Sequence, residues 1–241
     1  DLNRPAIDYR NGGVHMWDAS QTTGGLNKRK WVDSYMEASK EDKGGSVIGY
    51  AWSRDGIFWE RLEEPVVVPD CTWEKRSLMC PTILWDQKKE IYKLWYCGGG
   101  WFEPDAIGYA ESKDGIVWEK CGKNPVFTPD KKNLWERAHV AGCQVIQMDG
   151  WYYMFYIGYE DLFKARICLA RSKDGVSGWE RHPMNPIISA GLPGAWDCES
   201  IYKPFLYFDE DQDRWLMYFN ARTGTTERIG IASHNGRDFW N

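Results

Sequence analysis

Three carboxylates are candidates for acid and base chemistry: Glu199, Asp197 and Asp8. Two of them lie two residues apart in the segment WDCES, and the third lies near the start of the chain. Cleavage of a glycosidic bond by water needs two carboxyl groups, one to protonate the leaving oxygen and one to act as base or nucleophile. We expect Glu199 to be the proton donor, with Asp8 and Asp197 as the two candidates for the second role.

Basic and aromatic side chains at related positions are candidates for binding a sugar or an anion. The basic ones are Arg76, Arg137, His139, Lys203 and Arg222. Guanidinium groups bind carboxylate and phosphate through paired hydrogen bonds, and lysine binds them as a point charge. His139 has no second histidine at ligand spacing, so we predict a hydrogen-bonded histidine and no metal site. In the segment GGGWFEPD, glycines present Trp101 either as a sugar-stacking surface or for simple loop packing.

An internal repeat organises the whole chain. The segment IGYAESKDGIVWE recurs as IGYAWSRDGIFWE, as ICLARSKDGVSGWE and, more loosely, as IGIASHNGRDFW. The tryptophans that close the four copies, Trp59, Trp118, Trp179 and Trp240, are 59, 61 and 61 residues apart. A fixed period of this length indicates a repeat architecture in which each copy is one structural unit.

Each copy contains four short runs typical of strands. In the second copy they span residues 77–85, 91–98, 106–112 and 116–127, and they are rich in aromatic and β-branched residues. Nothing has the 3.6-residue period of a long amphipathic helix. The pattern predicts an all-β protein, a β-propeller built from four-stranded antiparallel blades. The SKDG and SRDG segments are predicted to be turns between the third and fourth strands.

The repeats suggest one propeller domain over residues 1–241, with copies at about 1–70, 71–130, 131–190 and 191–241. The first copy carries an insertion at about 21–45, and the last copy stops before its outermost strand. These ragged ends favour a five-bladed parent over a closed four-bladed ring.

Residues at which the copies differ are better candidates for chemistry than residues that they share. The acid after each aligned tryptophan is shared (Glu74, Glu136 and Asp197), which predicts a structural cap or salt bridge. Later positions diverge, and the aligned sets are Arg76, Ala138 and Glu199; Ser77, His139 and Ser200; and Cys80, Gly142 and Lys203. Period-two alternation predicts that Glu199, Ile201 and Lys203 share one face at the mouth of a channel.

Bulk composition excludes several function classes. A net charge of −5 gives no basic patch for a nucleic acid or an anionic membrane. No apolar run approaches the ~20 residues that cross a bilayer, and no signal peptide opens the chain. Seven scattered cysteines without a CxxC pair favour free thiols in a reducing compartment, although a periplasmic or secreted location stays open.

The repeats resemble the five-bladed propeller glycosidases, which include glycoside hydrolase families 32, 43, 62, 68, 117 and 130. The matching features are the first strand with its proline, the YYMFY or KLWYCG strand, the IGYA-S-DG--W hairpin and the NPV outer strand. This resemblance implies a central funnel, acid and base carboxylates on different inner strands, and a carbohydrate substrate. Some relatives hold calcium in the channel, but no ligand cluster in this sequence indicates one, so no cofactor is expected.

Departures from the family pattern leave three hypotheses open. Arg4 stands before Pro5, where family 43 has an aspartate, and Ala141 stands where that family's third-blade acid would fall. The leading hypothesis is a glycoside hydrolase. A phosphorylase similar to family 130 is the second, because Arg76, Arg137, His139 and Lys203 could hold phosphate. A non-catalytic glycan-binding propeller is the third.

Overall fold

The computed structural model describes residues 23–27, 30–38, 45–100 and 104–240. Their regular elements are β-strands and short 3-10 helices. In this part of the chain, no helix has the length and apolarity to cross a membrane. Asp8, Trp101 and residues 21–22, 28–29 and 39–44 of the predicted insertion lie outside the described residues. By its internal contacts the chain divides into two compact units, one ending at Phe127 and the other beginning at Thr128.

The first unit contains two blades in which each strand runs antiparallel to the next. The first blade comprises β1 (Thr23–Asn27), β2 (Lys30–Ala38), β3 (Ser46–Ser53) and β4 (Trp59–Arg61). The second comprises β5 (Ser77–Asp86), β6 (Ile91–Gly99), β7 (Pro104–Ser112) and β8 (Glu119–Lys120). One parallel pair, Ser46 with Ser77, joins β3 to β5.

The second unit repeats this arrangement. The third blade comprises β9 (His139–Met148), β10 (Trp151–Asp161), β11 (Lys164–Ser172) and β12 (Glu180–Arg181). The fourth blade has three described strands, β13 (Ser200–Asp209), β14 (Arg214–Thr223) and β15 (Thr226–Asn235). The antiparallel strand order predicted for each repeat is confirmed, and the second and third blades have the predicted four strands. In the first blade, β1 and β2 lie within residues 21–45, so the prediction that this segment is an insertion between strands is wrong.

The SxDG segments form the predicted turns. In the second blade, Asp114 Oδ1 accepts hydrogen bonds from the backbone N–H groups of Ile116 and Val117, both at 2.8 Å. The Ser112 hydroxyl accepts from the Gly115 N–H at 2.9 Å, and Gly115 has a φ of +79°, which favours glycine. Trp118 Nε1 donates to the Gly115 carbonyl at 2.9 Å, so the repeated tryptophan closes its own turn.

The fourth strands are shorter than predicted because an asparagine side chain takes the place of a backbone group. Asn124 Oδ1 accepts from the Tyr109 N–H at 2.8 Å, and its Nδ2 donates to the Tyr109 carbonyl at 3.0 Å. Asn185 makes the same pair of bonds with Leu169, at 2.8 and 2.9 Å. A cis peptide bond to proline follows each asparagine. The sheet edge is therefore paired beyond the two-residue strands β8 and β12.

A hydrophobic core holds the third and fourth blades together. Phe155, Ile167 and Leu169 of the third blade pack with Ile201 and Phe219 of the fourth, and each of these side chains is at most 6% exposed. The opposite face of the fourth blade is open, because Tyr218, Ile229 and Ile231 are 37, 73 and 61% exposed. Among the described residues of the second unit, the third blade covers one face of the fourth sheet.

Candidate functional site

The second, third and fourth blades share a common geometry at one end. There the first residue of the blade's first strand pairs with a residue near the end of the second: Ser77 with Gly99, His139 with Tyr159, and Ser200 with Arg222. The hairpin between the second and third strands lies at the same end. The residues at which the copies diverge lie here, so we call it the variable end of each blade.

Glu199 lies at the variable end of the fourth blade, where its carboxylate is half anchored. Its Oε2 accepts a hydrogen bond from the backbone N–H of Gly224 at 2.9 Å. Its own backbone N–H donates to the Arg222 carbonyl at 3.3 Å. The side chain is exposed, and within the described residues Oε1 has no hydrogen-bond partner. One oxygen is thus positioned by the chain and the other is available to a ligand.

Two guanidinium groups hold the junction between the third and fourth blades. Arg166 Nη1 donates to the Glu199 carbonyl at 2.9 Å. Arg222 Nη2 donates to the Phe163 carbonyl, also at 2.9 Å, and the Ser200 hydroxyl donates to the same oxygen. The Ala165 N–H in turn donates to Ser200 Oγ at 3.1 Å. These bonds bring two positive charges close to the backbone that carries Glu199.

More charge lies at the variable end of the third blade. Arg137 Nη2 is 3.5 Å from Glu160 Oε1, and Lys164 Nζ is 3.5 Å from the same oxygen. His139 meets Tyr159 edge to face, with ring centroids 6.3 Å apart. In the second unit, the structure therefore places Arg137, His139, Glu199 and Arg222 at the variable ends of two packed blades.

The predicted alternation of Glu199, Ile201 and Lys203 on one face is wrong. Lys203 has a φ of 54°, and the β13–β14 register shifts between Tyr202 and Phe205. Such a β-bulge adds a residue to one strand and breaks the period of two. Ile201 is fully buried in the core, and Lys203 is partly exposed at the bulge. The aligned residues Cys80 and Gly142 also have positive φ, so the bulge is part of the repeat.

Two of the three shared acids are structural, as predicted. Glu74 is fully buried, and it accepts from the Tyr96 hydroxyl and the Lys120 ammonium, each at 2.7 Å. Glu136 is also fully buried, and it accepts from the Tyr156 hydroxyl at 2.7 Å and from Arg181 Nε. Burial, followed by the adjacent carboxylate, raises the pKa of Tyr96 well above its usual value.

Metal-ligating atoms converge near Glu74. Asp70, Cys71 and Glu74 bring such atoms within 4.8 Å of one another. The Lys120 ammonium, however, donates to Asp70 Oδ1 at 2.6 Å and to Glu74 Oε2 at 2.7 Å. The cation in this cluster is therefore a lysine, and the cluster belongs to the fold.

Asp197 departs from the other two acids. Phe219 stands where Tyr96 and Tyr156 stand in the other blades, and it stacks on Trp196 with centroids 6.3 Å apart. No described residue forms a hydrogen bond with the half-buried Asp197 carboxylate. It lies against Gly191, where an added Cβ would be 2.2 Å from Oδ1. The last copy therefore lacks the tyrosine that fixes this acid elsewhere.

Arg76 lies in the first unit, at the variable end of the second blade. It is exposed and directly precedes β5, next to Lys75, which forms an ion pair with Asp105. Its position in the repeat is the one that Glu199 occupies in the fourth blade.

No protein family model matches the sequence. The 1,2-beta-oligomannan phosphorylase of Thermoanaerobacter sp. (strain X514) is 32% identical over 190 residues, which are 77% of this chain and 56% of that protein. The chain thus spans just over half the length of this curated relative.

Solved structures match more of the chain at lower identity. A family 117 glycoside hydrolase of Zobellia galactanivorans has a TM-score of 0.69 at 19% identity, over 95% of this chain and 69% of its own. The beta-1,2-mannobiose phosphorylase of Listeria innocua has a TM-score of 0.68 at 13% identity, over 90% of this chain and 72% of its own.

The chain has the β-propeller glycosidase fold. This confirms the all-β propeller and the superfamily resemblance predicted from the repeats, while the number of blades in the parent protein stays a prediction. Within this propeller glycosidase fold, the catalytic and binding roles assigned to Glu199, Asp197 and the basic residues also stay predictions.

Sequence comparison of the copies missed Arg166, Glu160 and Phe163. These three residues lie on the β10–β11 hairpin, outside the segment that follows each aligned tryptophan. Aligning the third strands gives Ala106, Arg166 and Arg228 at one position, a divergence that points to the same end of the blades.

Proposed function

We propose that this chain belongs to an enzyme that cleaves glycosidic bonds, with hydrolysis by paired carboxyl groups as its reaction. The observation that carries the proposal is Glu199, whose carboxylate has one anchored oxygen and one available oxygen and whose backbone is bound by Arg166 and Arg222. The propeller glycosidase fold supports the reaction class.

Glu199 is assigned the role of proton donor to the leaving oxygen. The Gly224 N–H orients its carboxyl group, so the oxygen without a partner is the one that would face the glycosidic oxygen. Asp197 is the candidate second carboxylate in the described chain, since no tyrosine or cation fixes it. Asp8 is the other candidate for this role. Their separation would decide between inversion and retention of configuration.

The remaining predicted residues are assigned to substrate binding. Arg137 and His139 lie at the variable end of the third blade, and Arg222 and Lys203 lie on the fourth. Arg76 and Trp101 complete the set. Charged and aromatic groups around a carboxylate are suited to a ligand with many hydroxyl groups and apolar ring faces.

The test replaces one carboxylate at a time and measures release of nitrophenol from a panel of nitrophenyl glycosides. Glu199→Gln and Asp197→Asn are expected to lower kcat by about 100-fold or more, because a general acid or base contributes that much, with glycan binding kept. Glu210→Gln is the matched control, because Glu210 lies just beyond the far end of β13 and is exposed. Full activity in both site variants would contradict the assignment.

A phosphorylase is the second candidate, and two observations favour it. Four cations, Arg137, Lys164, Arg166 and Arg222, lie at the variable ends of two packed blades. Two of the similar proteins are phosphorylases by name. In phosphorolysis, inorganic phosphate replaces water and the product is a sugar phosphate. Product analysis with and without phosphate separates the two reactions, and glycan binding without any product would instead support a non-catalytic propeller.

A further inference from the structure

An exposed aromatic ring stands at the variable end of the third blade. The turn between β10 and β11 carries Leu162 and Phe163, whose side chains are 47 and 70% exposed. Exposing a whole aromatic ring to water gives up the free energy that its burial would contribute. The core of the third and fourth blades does not include this ring.

The backbone that carries the ring is fixed on both sides. The N–H groups of Phe163 and Lys164 donate to Asp161 Oδ1, at 2.8 and 3.0 Å. The Phe163 carbonyl accepts from Arg222 Nη2 at 2.9 Å and from the Ser200 hydroxyl, both on the fourth blade. Since these bonds already order the residue, a ligand that meets its ring pays little further backbone entropy.

The groups near this turn complement an aromatic ring. Arg222, which holds the Phe163 carbonyl, also accepts from the Glu199 N–H through its own carbonyl oxygen at 3.3 Å. Arg166 donates to the Glu199 carbonyl from the strand that follows the turn. The residues that carry an apolar ring, two guanidinium groups and a carboxylate are thus linked by three hydrogen bonds through their backbone atoms. A sugar offers the matching chemistry, because its C–H face is apolar and its hydroxyl edge is polar.

The repeat itself indicates that the turn does not need an aromatic residue to fold. The fourth blade closes the equivalent hairpin between Thr223 and Thr226 with Gly224 and Thr225. In the second blade the corresponding segment contains Trp101 and Phe102 in sequence. An aromatic residue therefore occurs in this sequence segment of two copies, and the turn of the fourth blade closes without one.

We infer that the ring of Phe163 is a stacking surface for a sugar ring of the substrate, adjacent to the one that meets Glu199. This inference rests on the proposed function and names a binding residue for it. Stacking on an aromatic ring stabilises the bound substrate and the transition state equally. Removing the ring should therefore change KM and Kd more than kcat.

Three variants test the inference: Phe163→Ala, Phe163→Trp and the control Leu162→Ala, which shortens the neighbouring exposed side chain of the same turn. Kinetics are measured on the active chain, and glycan binding is measured in the Glu199→Gln background, where substrate is not consumed. Phe163→Ala is expected to raise KM and Kd about 10-fold with kcat within about 3-fold, in the range found for aromatic contacts. Phe163→Trp is expected to restore binding, and Leu162→Ala to change it less than 2-fold.

The outcomes separate the two proposals. If the unsubstituted chain cleaves or binds glycans and Phe163→Ala behaves in the same way, the stacking role is wrong and the proposed function stands. The stacking role is also wrong if Leu162→Ala and Phe163→Ala lose binding equally, because the turn as a whole would then be responsible. If the unsubstituted chain neither binds nor cleaves any glycan, both proposals fall.

Discussion

Glu74 and Glu136 are buried carboxylates, each held by a tyrosine hydroxyl and a cationic side chain. Removing one partner of such a network leaves a buried charge without its full set of donors, which costs more than an average hydrogen bond. The same repeat position carries Asp197 in the fourth blade, beside a phenylalanine. Asp197 thus differs from the two structural acids in its shorter side chain and in its phenylalanine neighbour, and it has no hydrogen-bond partner among the described residues.

Tyr156→Phe is predicted to lower the free energy of unfolding by about 1–3 kcal/mol, because Glu136 Oε2 loses its buried donor. The measurement is urea unfolding at neutral pH. Tyr207→Phe is the matched control, since Tyr207 is 56% exposed, and it is expected to change stability by less than about 0.5 kcal/mol. Equal effects of the two substitutions would show that the buried network adds nothing.

At the residue scale, the sequence predicted the structural acids Glu74 and Glu136 because an acid follows the aligned tryptophan in three copies. It missed Phe163 and Arg166 because their proximity to Glu199 depends on hydrogen bonds between strands of two blades. Such pairings depend on the register between strands. A bulge such as the one at Lys203 changes the register, and the alternation of apolar and polar residues in the sequence does not reveal it.

The elements of the blades follow local chemistry closely. The runs predicted at 77–85, 91–98 and 106–112 match β5, β6 and β7 to within two residues at each end. The fourth run is interrupted for a specific reason, since Asn124 pairs with the third strand through its side chain, and backbone pairing resumes at Phe127. A carboxamide has a donor and an acceptor, so it can replace a peptide group in the hydrogen bonding of a sheet. Strand propensities do not predict this replacement.

Asn185→Asp is predicted to lower the free energy of unfolding by about 1–3 kcal/mol at neutral pH, because a carboxylate has no donor for the buried Leu169 carbonyl. Thermal or urea unfolding measures the loss. Asn220→Asp provides a matched control, since Asn220 is only partly buried on β14 and takes no part in an edge motif. Comparable losses in both variants would mean that the Asn185 motif has no special role at the edge.

The hydrogen bonds of the SxDG turns predict that the free energy of unfolding depends on pH. Hydrogen bonds from the backbone N–H groups of Val117 and Ile116 lower the pKa of Asp114 below its usual value. A lowered folded-state pKa adds stability above the unfolded pKa, near 3.9, and this stability is lost as pH falls through the folded pKa. Asp114→Asn is therefore expected to be less stable than the original chain at pH 7 by under about 1 kcal/mol, since the group is exposed.

That difference should shrink as the pH falls below about 4 and the carboxyl group takes up its proton. Urea unfolding of both chains at pH 7 and at pH 3 measures it. Asp211→Asn, in the exposed turn after β13, is the control and should show no such trend. A stability difference that is the same at both pH values would contradict a role for the charge.

At the scale of the whole molecule, the open face of the fourth blade is an exposed apolar surface. Ile229 and Ile231 pair with Asn220 and Tyr218, as Ile167 and Leu169 pair with Ile157 and Phe155 in the third blade. In the third blade this face is covered by the fourth, and Ile167 and Leu169 are at most 2% exposed. We predict that in the parent protein a further blade covers the fourth in the same way, as the five-bladed interpretation of the sequence expects.

Ile231→Lys is predicted to leave the unfolding free energy of residues 1–241 within about 0.5 kcal/mol, because the side chain is already 61% exposed. It should also reduce self-association in sedimentation velocity, since it places a charge in an exposed apolar face. Leu169→Ala, at the covered equivalent, should cost about 2–5 kcal/mol. A large loss of stability in Ile231→Lys would show that this face is already packed.

The repeat made the blades of this molecule predictable, because every copy states the same pattern of strands and turns. The site was less predictable, since its residues are the exceptions to that pattern, and only the fold brings Glu199, Arg166 and Phe163 to one end of two packed blades.

The most direct measurement is a crystal structure of the Glu199→Gln variant with a bound oligosaccharide that the unsubstituted chain cleaves. The account predicts a glycosidic oxygen within about 3 Å of the side chain at position 199, which is the reach of a proton donor, with the neighbouring sugar ring on Phe163. An oligosaccharide bound elsewhere, with no contact to the variable ends of the third and fourth blades, would contradict it.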